Sequence, residues 1–231
     1  MSEQLTLKIP AKINLSLDIT GKRADGYHTL RSVFQAVGCY DILTLTKSDT
    51  DAPFSLTCSV SEIPCDEHNL VWKAAQRLLG DAPCGLTAHL EKHIPSQAGM
   101  GGGSADCAAA LLGIRKLMRP DLPDAKLHEI AASLGADVAF FLYGGAALMT
   151  GRGDTLVRRL PSFPLPIVLM GDNKGASTAA VYAAFDEDPV QASDAFELAE
   201  EMEEDEPDVR RLARLCSNNL EPAACTVLPH L

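Results

Sequence analysis

The chain has 231 residues, 46% of them apolar, with 20 basic against 31 acidic side chains and a formal net charge of −11. That length buries a proper core in one large domain or two small ones, and the acidic balance excludes nucleic acid as a partner. No apolar run approaches the roughly 18 residues of a membrane span, no signal-peptide pattern opens the chain, and the seven cysteines include no Cys-x-x-Cys pair, so reduced thiols in a cytoplasmic compartment are expected.

Leu5, Leu7 and Ile9 alternate with polar neighbours and predict a strand. After Pro10 the alternation resumes. Ile13, Leu15, Leu17 and Ile19 face one way, and Lys12, Asn14, Ser16 and Asp18 face the other. Lys12 and Asn14 therefore share one strand face and reach the same ligand. Gly21 to Leu30 reads as a loop closed by Tyr27 and His28, a pair suited equally to stacking on a base and to packing at the loop's root. A strand through Val33, Phe34 and Val37 follows, with further strand-like segments at 42–47 and 54–60. Asn69 to Leu79 is an amphipathic helix. Leu86 to Glu91 alternates as a strand. His89 and His93, about 13 Å apart on such a strand, are read as exposed polar residues and not as a metal pair.

That strand leads into Ile94-Pro95-Ser96-Gln97-Ala98-Gly99-Met100-Gly101-Gly102-Gly103-Ser104-Ala105-Asp106. The Ala/Leu-rich segment from Ala105 to Met118 predicts a helix. Glycines let a ligand approach the backbone, and the helix N-terminus aims unpaired N–H groups at it, so the segment is a ready phosphate site. Ser104 is placed to cap the helix or to donate to a phosphate. The loop is neither a Gly-x-x-x-x-Gly-Lys-Ser/Thr loop nor a dinucleotide fingerprint. Asp124 is expected to cap a helix ending at Gly135. Ala136 and Asp137 then precede an apolar run, 138–142, read as a buried strand. Asp137, half inside the core, needs solvent or a cation, and Lys12 is a candidate. Turns at Gly144-Gly145 and 151–154 flank a strand from Ala146 to Thr150. Pro161, Pro164 and Pro166 suggest a domain boundary, 1–160 against 161–231. Beyond it are expected a short strand at 167–170, a helix capped by Ser177, helices at about 192–204 and 208–215, and one from about 218. The acidic run from Glu200 to Asp208 reads as a solvated helix end.

Five stretches in order resemble the GHMP kinase superfamily, and within it the branch of 4-diphosphocytidyl-2-C-methyl-D-erythritol kinases: Pro10 to Leu15, Arg23 to Leu30, Ala98 to Asp106, Leu134 to Val138 and Ser177 to Tyr182. The resemblance implies an α+β fold of two lobes, a ribosomal-S5-like N-terminal lobe and a ferredoxin-like C-terminal lobe, with ATP and substrate meeting in the cleft. It implies ATP-dependent phosphorylation of the 2-hydroxyl of the cytidine-diphosphate-linked methylerythritol, a step of the non-mevalonate route to isoprenoids. Lys12 and Asp137 would be catalytic, with Asp137 taking or orienting the hydroxyl proton and Lys12 holding Asp137 ionised. Pro95, Ala98, Gly99, Met100, Gly101, Gly102, Gly103, Ser104 and Ala105 would bind ATP. Asn14, Tyr27, His28, Thr178 and Tyr182 would bind the substrate. Mg²⁺ would arrive with ATP, with no protein side chain assigned to it, and the chain would act as a monomer or homodimer.

The chain departs from the pattern in three places. Ala105 stands where many relatives have a second serine, and Gln97 and Ala98 stand where glycines are usual. The family's third motif, a Gly-Ser-Gly-rich turn, has no counterpart before Leu231, so the second lobe is expected to be truncated. Two other readings follow: a catalytically impaired relative that only binds nucleotide, and a GHMP kinase for another small alcohol.

Overall fold

The structure is a computed structural model that describes residues 2–96, 98–162, 166–171, 175, 177–191 and 193–229. Gln97, Pro164 and Ala192 lie outside the described residues. The chain forms two compact units, each assembled from separate stretches: Met1–Ala11, Val37–Pro95 and Gly101–Tyr143 in the first, and Lys12–Ala36, Ser96–Met100 and Gly144–Leu231 in the second. Strands β1 (Glu3–Lys22) and β2 (His28–Lys47) contribute to both.

In the first unit β2 pairs antiparallel with β4 (Leu86–Glu91), and β3 (Ser55–Cys58) lies parallel to β4, with Leu45 and Leu56 both in register with Ala88. Alternation puts Leu43, Leu45, Leu56, Leu86, Ala88 and Leu90 into the core. Helix α1 (Leu70–Leu79) is capped by the Asn69 side chain, which accepts from Val71 N, and buries Val71, Ala74, Ala75 and Leu78. Helix α2 (Gly102–Met118) comes so close to the strands that a Cβ on Gly113 would lie 2.5 Å from Leu45 Cδ1. Helices α3 (Asp124–Leu134) and α4 (Val138–Tyr143) complete the unit.

The second unit pairs Ser32–Gln35 of β2 with β5 (Ala146–Thr150), which pairs with β6 (Thr155–Leu160). Among the described residues two apolar clusters hold it. One packs Val33, Leu148 and Leu160 under α6 (Ala195–Glu203) and α7 (Val209–Leu215). The other joins Ile19 and Leu30 to Val181 and Phe185 of α5 (Thr178–Glu187) and to Leu220 and Ala223, the latter on α8 (Glu221–Val227). A two-residue strand, β7 (Ser217–Asn218), lies parallel to β1 at Ser16 and Leu17. Asn219 closes this junction: its Oδ1 accepts from Ile19 N at 2.9 Å and its N donates to Leu17 O at 3.0 Å.

Several expectations are corrected. Residues 138–142 are helical, because a short run buried on nearly every side has no period that separates strand from helix. Pro10 does not break β1: among the described residues only β2 flanks the strand there, so the missing N–H falls at a sheet edge. The stretches 33–37 and 42–47 belong to one strand. The segment 167–170 is not a strand, and Val168 and Met170 are 88% and 94% exposed. Asp124 is the first helical residue, with Pro123 at the cap. Within the acidic run Glu201 is buried, accepting from Asp208 N and pairing with Arg211. Among the described residues no helix is long and apolar enough to cross a membrane.

Candidate active site

From Lys12 to Ile19 the alternation along β1 is real, but the polar face is buried as well as the apolar one. Lys12, Ser16 and Asp18 are each under 7% exposed. Burial of such groups demands partners, and they form a chain. Lys12 Nζ donates to Asn14 Oδ1 at 2.7 Å, and Asn14 Nδ2 donates to Ser32 Oγ at 2.7 Å. Ser32 Oγ donates to Ser16 O, and Ser16 Oγ accepts from Val33 N. Asp18 accepts from Ser193 N, Ser193 Oγ and Ala195 N at the start of α6. The Lys12 ammonium also sits 4.9 Å above the Phe34 ring. Its backbone N donates to Met100 O at 3.0 Å, which ties the glycine loop to the strand beside this ammonium.

Elsewhere in the second unit, Arg23 binds Asp25 through two guanidinium nitrogens, at 3.0 and 2.8 Å from Oδ2. The Arg23 hydrogen bond holds the Asp25 carboxyl below its ordinary range. Asp25 Oδ1 accepts from Tyr27 N, and Gly26 takes φ 86 to let the loop turn. His28 follows at the start of β2. Its ring lies 4.8 Å from that of Tyr182, tilted by 30°, and edge-on to Phe185 at 6.3 Å. Its Nε2 is 2.6 Å from Asp186 Oδ1, while Lys22 Nζ donates to Asp186 Oδ2 at 2.5 Å. The hydrogen bonds from Lys22 and His28 hold the Asp186 carboxyl down. Tyr182, Phe185 and Asp186 are spaced i, i+3, i+4 on α5, which puts them on one face. Tyr27 does not join this stack. It is 58% exposed, with the Arg152 guanidinium 5.1 Å from its ring, and Arg152 is paired to Asp154. Thr178 lies exposed in the first turn of α5, one turn before Tyr182.

In the first unit the glycine segment enters α2 through Gly101, the N-cap, at φ 70 and ψ 19. No side chain caps the helix. Ser104 is its third residue and not its cap, because the left-handed cap position is taken by glycine. Gly103, Ser104 and Ala105 follow in the first turn, with no acidic side chain to compete for an anion. Pro95 closes the β4 side of the loop, and Ala98 and Gly99 lie in its turn, with Gly99 at φ 69. Gly102 is glycine for a packing reason: a Cβ there would stand 3.2 Å from both Ile94 Cγ2 and Lys92 Nζ. Gly135 brings the Asp137 segment near the same turn, since a Cβ on it would lie 3.8 Å from Ser104 Oγ. Asp137 itself is half-buried at the entrance to α4.

Behind the loop is a buried triad that the sequence did not announce. Lys92 Nζ donates to Asp106 Oδ2 at 2.7 Å and to Asp41 Oδ2. Asp41 Oδ1 accepts from His93 N and Ile94 N, fixing the chain just before Pro95. Burial pushes Asp106 up to about 7, against the pull of Lys92, and its Oδ1 has no hydrogen-bond partner among the described residues. Burial would lower Lys92, but Asp106 and Asp41 outweigh it and raise it. His89 bonds to Thr57 Oγ1 at 2.8 Å, as a strand-surface residue does.

The GHMP kinases N terminal domain family matches residues 69–145. The 4-diphosphocytidyl-2-C-methyl-D-erythritol kinase of Mycolicibacterium gilvum (strain PYR-GCK) is 39% identical, over 98% of this chain and 73% of its own. The enzyme of the same name from Desulfitobacterium hafniense (strain Y51) is 40% identical over 96% of this chain and 75% of its own. A crystal structure of 4-(cytidine 5'-diphospho)-2C-methyl-D-erythritol kinase superposes with a TM-score of 0.72 at 29% identity, over 98% of this chain and 80% of that one.

Proposed function

We propose, on the premise that this chain belongs to the 4-diphosphocytidyl-2-C-methyl-D-erythritol kinase family of the GHMP kinases, that it transfers the γ-phosphoryl group of ATP to the 2-hydroxyl of that cytidyl substrate. The hydroxyl oxygen forms a bond to the γ-phosphorus, the bond from that phosphorus to the β,γ-bridging oxygen breaks, and ADP leaves. Such a transfer asks the protein for alignment and charge stabilisation more than for covalent chemistry. The N–H groups of Gly101 to Ser104, at the start of a helix without an acidic first turn, suit the ATP phosphates, whereas that of Ala105 donates to Gly101 O at 2.8 Å. Asp137 takes or orients the proton of the attacking hydroxyl. Lys12, locked by Asn14 and desolvated in the strand face, stabilises negative charge on the reacting oxygens. Mg²⁺ would accompany the nucleotide and neutralise charge on its phosphates. The first turn of α2 carries the Ser104 hydroxyl and no carboxylate, which fits a cation held mostly by phosphate oxygens and water.

The observation that carries the choice of substrate is the His28–Tyr182 ring pair. A flat base needs an aromatic face and an in-plane hydrogen-bonding group, whereas a small alcohol needs neither. The lobe division at 160/161 and a reducing cytoplasmic setting belong to the same proposal, the latter fitting seven cysteines that form no disulfide.

The test is ADP release by the 231-residue chain with ATP, Mg²⁺ and the cytidyl substrate, each omitted in turn. Release is expected only with all three. Release with homoserine or mevalonate in place of the cytidyl substrate would establish another alcohol. Nucleotide binding without release would establish a binding role alone.

A further inference from the structure

Phosphoryl transfer as described leaves Asp186 and Lys22 without a task, yet Asp186 bonds His28 through one oxygen and Lys22 through the other. His28 cannot turn freely: its side chain is 8% exposed and lies against the rings of Tyr182 and Phe185. We propose that Asp186 is a positioning residue that fixes the tautomer of His28, and through it makes the base subsite accept an amino pyrimidine and refuse its keto counterpart. The inference rests on the reading of His28 and Tyr182 as the base subsite.

The argument is one of donors and acceptors. An ionised carboxylate only accepts, so the hydrogen of a neutral imidazole bonded to it sits on Nε2. Lys22, on the second oxygen of Asp186, favours the ionised carboxylate. Nδ1 is then left with a lone pair, and among the described residues no hydrogen bond is made to it. Cytosine offers an exocyclic amine, a donor, to such an acceptor. Uracil offers a carbonyl oxygen at the same place, and its one N–H donor is flanked by two carbonyls whose lone pairs face the same nitrogen. A polar site built for one partner rejects the other because its group is left unpaired. The spacing of Tyr182, Phe185 and Asp186 lets one turn of α5 supply both the stacking ring and the group that sets the tautomer.

Two measurements test this. The first needs no activity: long-range ¹H–¹⁵N correlation on chain labelled with ¹⁵N-histidine, with His28 assigned by loss of its signals in His28→Gln. The neutral Nε2–H form is expected, and a proton on Nδ1, alone or in addition, overturns the proposal. The second is kcat and KM for the cytidyl substrate and its uridyl analogue. The wild-type chain should favour the cytidyl compound through KM by at least about 10-fold. Asp186→Asn, whose amide can donate to Nε2 and send the proton to Nδ1, should shrink that ratio toward one with kcat on the cytidyl substrate retained. Lys22→Met, which leaves the carboxylate in place, should keep it. An unchanged ratio in Asp186→Asn overturns the proposal. A wild-type chain that phosphorylates neither compound counts against the kinase reading instead, and the tautomer measurement then decides the inference alone.

Discussion

In the proposed reaction Lys12 stabilises charge and Asp137 handles the proton, and one substitution tests that division. Asp137→Asn keeps the side chain's shape and removes its basicity. Turnover should fall by about 10² to 10⁴-fold, the usual share of a positioned general base, while ATP affinity measured by calorimetry stays within error. Near-full turnover would show that the carboxylate takes no part in the proton transfer. At this scale the sequence was partly legible. Period-two alternation placed Lys12 and Asn14 on one face, and the structure bonds them directly at 2.7 Å. It did not say that this face is buried too, because polar residues on a strand normally mark the solvent side. Only partners far along the chain, such as Ser193 and Ala195 for Asp18, make burial tolerable. Lys92, Asp41 and Asp106 stayed invisible for the same reason: three charges separated by up to 65 positions carry no local pattern.

Among the elements, the turn into α2 depends on the left-handed backbone of Gly101. Gly101→Ala should cost about 1 kcal/mol of stability for that conformation and raise KM for ATP, since the first-turn N–H groups re-aim with it. Chemical denaturation and steady-state kinetics on the one variant test both halves, and an unmoved KM would separate the loop from nucleotide binding. Helices with strong periodicity or a polar cap were readable, as with the apolar spacing of α1 and with Ser177 before α5, whose side chain accepts from Ala180 N. Elements lacking period were not. The apolar run 138–142 reads equally as strand or helix, and its packing as α4 is a tertiary decision. Ser104 looked like a cap because serine is a good one, but the glycine before the helix already occupied the position.

For the molecule as a whole, the buried triad writes itself into the pH dependence of stability. Asp106 has its folded value raised to about 7 from an ordinary 3.8. The unfolded chain therefore releases this proton first, and stability falls as pH rises from about 4 to about 7, then levels. Asp106→Asn cannot ionise. Urea unfolding from pH 4 to 8 should show the variant gaining on the wild-type chain across that window, by a total on the order of a few kcal/mol. A difference that does not change with pH would remove Asp106 as the cause. The sequence carried enough to name the superfamily from five ordered motifs, but not the way each compact unit draws on separate stretches of chain. That discontinuity has a consequence in time. The bonds between Ile19 and Asn219 join residues 200 positions apart. At a ribosomal pace of about 5 to 20 residues per second, β1 waits roughly 10 to 40 s for β7 and α8 to be made. Through that interval Ile19 and Leu30 lack Leu220 and Ala223, the residues that cover them in the finished chain. A nascent chain stalled before residue 217 should accordingly be held by chaperones longer than one stalled after 229.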